Sequence, residues 1–445
     1  MNNAERIQRR IERDKARRAA KKAAFMQPLD RYDSVFDFEE LWIAGKRCCN
    51  GVRWKASIQR WEMSLLTNVA ALYENLQTGK HQKYSGKFCC FDLVERGHLR
   101  HIRALKVNER AAQKALCDVA LVPALERSFI YDNGATMKGK GITFAENRLT
   151  KQLRRFLFEM TPEKALQEGY VVQFDFHHYF DNADHETLFH IIGNLFSDRK
   201  LVYTIRKFIR DFGEKGLGLG SQISQILSLS LGGRLDHAIK DRMRMKFYGR
   251  YMDDGYIICR NKSEARKILA VIRQECDRAR IEINEKKTRI VKLSRGFKFL
   301  QVIYNVTETG RIIRRTNHDG IKRMRNRLRA FRRKLDAGEI ELENIEMSLE
   351  AWLAHCMRAD TYRTRLSMWK RFRRMFPESK AFYTVKTNRE EEIEKARIFT
   401  ETWNEKHPNH HGFWQRIHRR AAWRKMKEME GNHGVLQVSF RRCGG

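Results

Sequence analysis

The sequence predicts an α+β protein, and three observations carry that prediction. Two runs rich in aromatic and β-branched residues, Val171–Phe176 and Phe247–Cys259, read as strands, the second folded back on itself as a hairpin. Several stretches repeat apolar residues at three and four positions, as in Leu188, Ile191, Ile192 and Leu195, which is helical spacing. Basic residues outnumber acidic ones 89 to 54 over 445 residues, a net charge of +35 spread along the whole chain. That length supports two or three domains with real cores. A surface this basic repels itself unless it meets a polyanion, so nucleic acid is the expected partner.

No apolar run approaches the ~18 residues of a membrane span, and the first residues are charged throughout, unlike an export signal. The expectation is a soluble, cytoplasmic protein with no membrane contact. Nine cysteines without an export signal argue against a disulfide framework. The pairs Cys48-Cys49 and Cys89-Cys90 lack the two-residue gap that lets two thiolates grip one zinc ion, so buried free thiols are expected.

In chain order, residues 1–34 form a basic extension, and over residues 1–24 its apolar stripe, Ile7 and Ile11, is too thin to bury alone. Residues 35–80 read as helical, with Trp54 and Trp61 expected in the core. Leu99–Leu105 alternates as a strand and leads into a helix near Asn108. Asp184–Phe196 reads as an amphipathic helix, and His177 and His178 before it as neutral packing groups. Gly216–Leu227 is a glycine-rich turn entering a helix. Ser263 is the expected cap of a helix running to about Arg280. Beyond residue 320, Ile321, Met324, Leu328, Phe331 and Leu335 define one helix, Leu342 to Cys356 a second and Tyr362 to Phe376 a third. The first carries a cationic rail that includes Lys322, Arg323, Arg325 and Arg329. From Pro377 the chain is charged and irregular; its histidines, His407 to His418, match no zinc spacing.

The chemistry concentrates at Tyr251-Met252-Asp253-Asp254, the tip of the hairpin. Two adjacent carboxylates at the end of an apolar hairpin repel each other and are costly to desolvate without a cation. Magnesium meets that need, taking carboxylate oxygens together with substrate phosphates. Asp175, ending the first strand-like run, supplies a third carboxylate if the two strands are neighbours.

Tyr-Met-Asp-Asp on a hairpin, with Asp175 followed by Phe180-Asp181, resembles the catalytic motifs of reverse transcriptases. The resemblance extends over roughly residues 95–375 and implies a right-hand polymerase: N-terminal helices and fingers over 35–165, palm over 166–315, helical thumb over 316–376 and a basic extension over 377–445. It implies that Asp175, Asp253 and Asp254, with Phe176 beside the first, hold two Mg²⁺ ions, Mn²⁺ being an alternative. Lys287, in a segment similar to the family's Asn-x-x-Lys-Thr, would protonate the leaving pyrophosphate, with a plain surface lysine as the alternative. Arg100 and Arg103 fit the fingers arginines that contact an incoming triphosphate. Phe180 matches the aromatic residue beneath the incoming sugar, which excludes a 2′-hydroxyl and selects dNTPs. Ser224 and Gln225 would lie at the nascent base pair. Tyr251, Met252 and the basic rail would meet primer and template. Gly296–Gln301 resembles the primer-grip hairpin, although Gln301 stands where glycine is common.

The form Leu219-Gly220-x-x-x-Ser224-Gln225 departs from the usual Gln-Gly…Ser-Pro. It is similar to that of diversity-generating retroelements and some other non-mobile bacterial enzymes, and the departure points away from a standard group II intron protein within this group II intron-like class. Implied partners are a template or noncoding RNA, a DNA primer or product and dNTPs, with an accessory protein or a second copy of the chain left open. The expected role is copying a dedicated noncoding RNA into cDNA in antiphage defence, with template-repeat copying as the alternative. Two rivals of other kinds are an RNA-binding protein with a vestigial polymerase core and an RNA-dependent RNA polymerase; Phe180 and Met252 disfavour the latter.

Overall fold

A computed structural model describes residues 3–83, 85–95 and 98–381, and the expectations for the C-terminal histidine-bearing extension lie outside them. The chain divides into two compact units, Met1–Asn317 and His318–Gly445.

The first unit begins with a helix, Asn3–Met26, exposed over almost its whole length, as its thin apolar stripe requires. The helical region after it is three helices, Phe38–Cys49, Ala56–Met63 and Leu65–Gln77. Trp61 packs in the core, but Trp54 falls in the loop between the first two helices. It is exposed, with Lys55 Nζ 5.1 Å from its ring centroid, so the expectation of a buried Trp54 is corrected. Cys48 and Cys49 are buried free thiols, whereas Cys89 and Cys90 are exposed on a two-stranded ribbon.

That ribbon pairs β1 (Phe88–Glu95) with β2 (His98–Leu105) and leads into the helix Val107–Leu116. The central sheet has the order β4-β5-β3-β6, where β3 is Tyr170–Phe174, β4 Tyr248–Tyr251, β5 Asp254–Cys259 and β6 Arg289–Lys292. All its pairings are antiparallel. Helices His185–Gly193, Arg199–Arg210, Gln222–Leu231 and Lys262–Arg278 share one core with it. The last is capped by Asn261, whose side chain accepts from Glu264 N at 2.9 Å, and not by Ser263, which already lies inside the helix. A second sheet joins β7 (Phe297–Phe299), β8 (Val302–Val306) and β9 (Ile312–Thr316). The turn between β7 and β8 puts both Leu300 and Gln301 at positive φ, the requirement of a type I′ turn.

The second unit is a bundle of His318–Asp336, Leu342–Cys356 and Tyr362–Met375. Met324, Leu328, Ile345, Leu349, Leu353, Met368 and Phe372 form its core. Lys322, Arg323, Arg325 and Arg329 lie exposed along its first helix.

Candidate active site

The acidic hairpin is held in the middle of the central sheet, because β5 is flanked by β4 on one side and β3 on the other. Gly255 makes this close seating feasible: a Cβ there would stand 2.1 Å from Phe174 Cζ. Tyr251 pairs with Asp254, leaving Met252 and Asp253 as a two-residue turn. Met252 has φ +54° while Asp253 is not in the left-handed region, the sign pattern of a type II′ turn. A non-glycine residue there carries local strain, which the surrounding contacts must hold.

Phe174 pairs with Gly255, so continuing the register one step past the ladder sets Asp175 opposite Asp254. Phe176 N donates to the Asp253 carbonyl at 3.3 Å, tying the two acidic segments together. A third segment closes the site. Asn284 N donates to the Asp175 carbonyl at 2.8 Å, and Asn284 Nδ2 to Asp175 Oδ1 at 3.1 Å. The tight turn from Asn284 to Thr288 then carries Lys287 Nζ to 2.9 Å from both Asp175 oxygens. From the β7–β8 turn, Leu300 N approaches Asp254 Oδ2 at 3.4 Å.

Burial pushes the Asp254 carboxyl up to about 7, and the negative charges of Asp253 and Asp175 push the same way. Such a site is short of positive charge. Three carboxylates with the backbone of Phe176 suit a hard divalent ion, which prefers oxygen donors. Among the described residues, no three such side chains are gathered closely enough to hold an ion. Lys287 instead neutralises Asp175.

The sequence reading missed the support behind the turn. Arg250 and Asp236 form a buried bidentate pair, Nε to Oδ1 at 2.9 Å and Nη2 to Oδ2 at 2.6 Å, with both side chains at most 1% exposed. Arg250 Nη1 also donates to the Met252 carbonyl at 2.8 Å and Nη2 to Leu229 at 3.1 Å. Tyr248 donates its hydroxyl to Asp236 Oδ1. Gly232 leaves room for the guanidinium, since a Cβ there would sit 2.5 Å from Arg250 Cζ. A partial signal existed: Arg250 interrupts an apolar strand, and a charge at a core position calls for a partner, although nothing near Asp236 marks it as that partner.

Of the other candidate residues, Phe180 is half-buried and edge-on to Tyr179, with ring centroids 6.2 Å apart. Its carbonyl accepts from Leu217 N at 2.7 Å, which docks the glycine-rich turn beside it. Gln225 is exposed near the start of its helix, whereas Ser224 is fully buried with its Oγ unpartnered. Ser224 therefore offers no surface to a dNTP in this conformation, because the helix turns it into the core. Arg103 is exposed on β2 and donates to the Phe212 carbonyl; Ile102 beside it approaches Gly220. Arg100 lies on the same strand opposite Leu93, and its side chain is outside the described residues. Tyr251 and Met252 are half-buried against the core, Met252 Sδ lying 3.7 Å from Ser228 Oγ. His177 and His178 are exposed and not packing groups, standing 3.4 Å from Glu282 and Asp181 respectively.

Fold and site together define a polymerase of the right-hand class, with an antiparallel palm sheet presenting an acidic hairpin. Residues 92–304 match the family described as reverse transcriptase (RNA-dependent DNA polymerase), whose members are nucleotidyltransferases. No curated protein sequence matches the chain. Similar solved structures include apo telomerase from Candida tropicalis, 15% identical with a TM-score of 0.41, over 68% of this chain and 64% of that one. Another is telomerase from Candida albicans with a TWJ fragment of telomeric RNA, 13% identical with a TM-score of 0.38, over 65% and 57%. The chain spans about three-fifths of these telomerase chains. Among the described residues, no helix is long and apolar enough to cross a membrane.

Proposed function

We propose that the chain is an RNA-directed DNA polymerase in which Asp175, Asp253 and Asp254, with the Phe176 carbonyl, hold two Mg²⁺ or Mn²⁺ ions. The observation that carries this reading is the placing of Asp175 beside the Asp253-Asp254 turn by the β3–β5 register and the Phe176–Asp253 backbone bond, around an Asp254 carboxyl raised by burial and by its two acidic neighbours. Bound divalent ions supply an activated 3′-hydroxyl and neutralise the triphosphate. The chain's own groups do the rest. Asn284 orients Asp175 through two hydrogen bonds. As the 3′-oxygen bonds to the α-phosphorus and the bridging oxygen departs, Lys287 is within reach of the carboxylates to give the leaving pyrophosphate a proton. Phe180, fixed between the palm and the glycine-rich turn, excludes a 2′-hydroxyl by bulk, and exposed Gln225 meets the nascent base pair. The exposed Lys322, Arg323, Arg325 and Arg329 serve nucleic-acid phosphates. Extension of a DNA primer on an RNA template, with dNTPs and either ion, tests the activity.

The finer reading is that the template is a dedicated, structured noncoding RNA copied in antiphage defence. Its support is the basic chain beyond the polymerase core, including the exposed helix Asn3–Met26. Template-repeat copying, as in diversity-generating retroelements, is the second reading, favoured by the Leu219–Gln225 form. Sequencing the RNA and cDNA that co-purify with the protein separates them: a single structured RNA supports the first, a template repeat the second.

A further inference from the structure

A second cleft lies away from the carboxylates, and none of the residues lining it belongs to the active site. Its volume is about 480 Å³, and the helices Ala56–Met63, Leu65–Gln77 and Val107–Leu116 contribute to its wall, with Phe208 completing it. We propose that it binds one nucleotide, as a site separate from the polymerase centre.

The lining is complementary to that ligand in three ways. Trp61, Leu72, Val107 and Phe208 give apolar and aromatic walls suited to the flat faces of a base. His81 is more than nine-tenths buried; the Asn75 backbone lies near its ring, but neither ring nitrogen makes a well-formed hydrogen bond within the chain. Buried polar atoms are ordinarily paired, so at least one nitrogen of this ring is left to meet a polar group from outside the chain. Hydrogen-bonding groups able to meet one ring nitrogen lie along the edge of every nucleobase. Glu109 adds a carboxyl that burial, with help from Asp211, raises to about 7, so near neutrality it both donates and accepts. The third feature is charge: Lys87 and Lys106 are among the residues lining the cleft, a positive contribution that suits a phosphate. The volume lies within the ~300–1,000 Å³ of small-ligand sites.

The cleft also has a path to the polymerase domain. Gln113 Nε2 donates to Glu109 Oε1 at 3.3 Å, and Ser221 Oγ donates to Gln113 Oε1 at 2.8 Å. Ser221 is the N-cap of the helix that presents Gln225. Occupancy is thus linked by two hydrogen bonds to the segment expected at the nascent base pair.

A free nucleotide and one nucleotide of a bound RNA share this chemistry, and the test has an arm for each. The full chain, without divalent ions, is titrated with AMP, GMP, CMP and UMP by calorimetry. In parallel, an RNA oligonucleotide is photocrosslinked and the attachment sites are mapped. His81→Leu removes both nitrogens, and Val107→Trp plugs the cleft while keeping them. Saturable one-site binding of a monophosphate, weakened at least tenfold in both variants, identifies a free nucleotide. Crosslinks to residues 56–63 or to Phe208, lost in both variants, identify a nucleotide of the RNA. A melting temperature of His81→Leu close to that of the parent is expected, since the lost nitrogens make no well-formed hydrogen bond within the chain. Monophosphate binding and crosslinks that are both absent, or unchanged in the folded variants, would overturn the proposal; should His81→Leu fail to fold, Val107→Trp decides alone.

Discussion

Arg250 and Asp236 offer the sharpest perturbation of the site that leaves its carboxylates alone. The pair is buried, bidentate and shared with Tyr248, and its guanidinium also holds the Met252 carbonyl at the strained corner of the acidic turn. Removing one partner leaves the other buried and uncompensated, at a cost of about 3–5 kcal/mol. Against a total stability of about 5–15 kcal/mol, Arg250→Met should visibly lower the denaturation midpoint. Replacing both charges, as in Arg250→Met with Asp236→Leu, removes the uncompensated charge and should recover most of that loss. It does not restore the donor to Met252. A hydrogen bond from a charged group contributes about 1.5–3 kcal/mol, so the double variant should lose roughly ten- to a hundredfold in kcat with little change in KM for dNTP. Urea denaturation followed by steady-state primer extension well below the midpoint measures both. A double variant with parental kcat, or a single Arg250→Met costing under about 1 kcal/mol, would refute a positioning role.

Phe180→Ala should raise ribonucleotide incorporation strongly while costing less dNTP efficiency than any carboxylate change. If Phe180 is only a packing residue, the same change instead depresses both substrates together and lowers stability by up to ~3–5 kcal/mol, which matched dNTP and NTP kinetics with a melting curve will reveal. Asp254 holds its proton to about 7 in the fold against an ordinary 3.8, so the folded state binds more protons than the unfolded chain between those values. Stability must therefore fall as pH rises from about 4 to 7, and Asp254→Asn should be more stable than the parent at pH 7 yet inactive. Glu109 contributes a slope of the same sign in either protein, so melting curves against pH should flatten in the variant without becoming level. RNA affinity should drop by roughly three to five decades between 50 and 200 mM salt if about six to ten phosphates are engaged. A nearly flat response in filter binding would assign the charge of +35 to another purpose.

What the sequence revealed, and what it hid, follow from the range of the interactions involved. The hairpin of Tyr251 to Asp254 and the strand before Asp175 were legible because alternation and turn chemistry are local. The bundle helices were legible because Met324, Leu328, Ile345, Leu349 and Leu353 repeat at helical spacing. Trp54 was misjudged because counting two turns along a helix assumes an unbroken one, and the loop before Ala56 breaks it. Ser263 lost the cap to Asn261 because both residues can cap, and two residues is within the usual blur of a helix end. Ser224 turned inward although its neighbour Gln225 is exposed, a distinction set by tertiary packing of that helix. The Arg250–Asp236 pair, the salt link of Lys287 to Asp175 and the His81 cleft join residues apart in sequence, and no local pattern names the partners, even where Arg250 in an apolar strand calls for one.

Asp253→Asn, assayed for DNA synthesis and RNA binding in the same preparation, bears most directly on the assignment of this chain as an RNA-directed DNA polymerase. The substitution removes one charge from the acidic turn and leaves the basic surfaces untouched. With Mg²⁺ or Mn²⁺, an RNA template, a DNA primer and dNTPs, the parent should extend the primer and the variant should not, while RNA affinity stays within a few fold. Full extension by Asp253→Asn, or no extension by the parent with either ion, would contradict it.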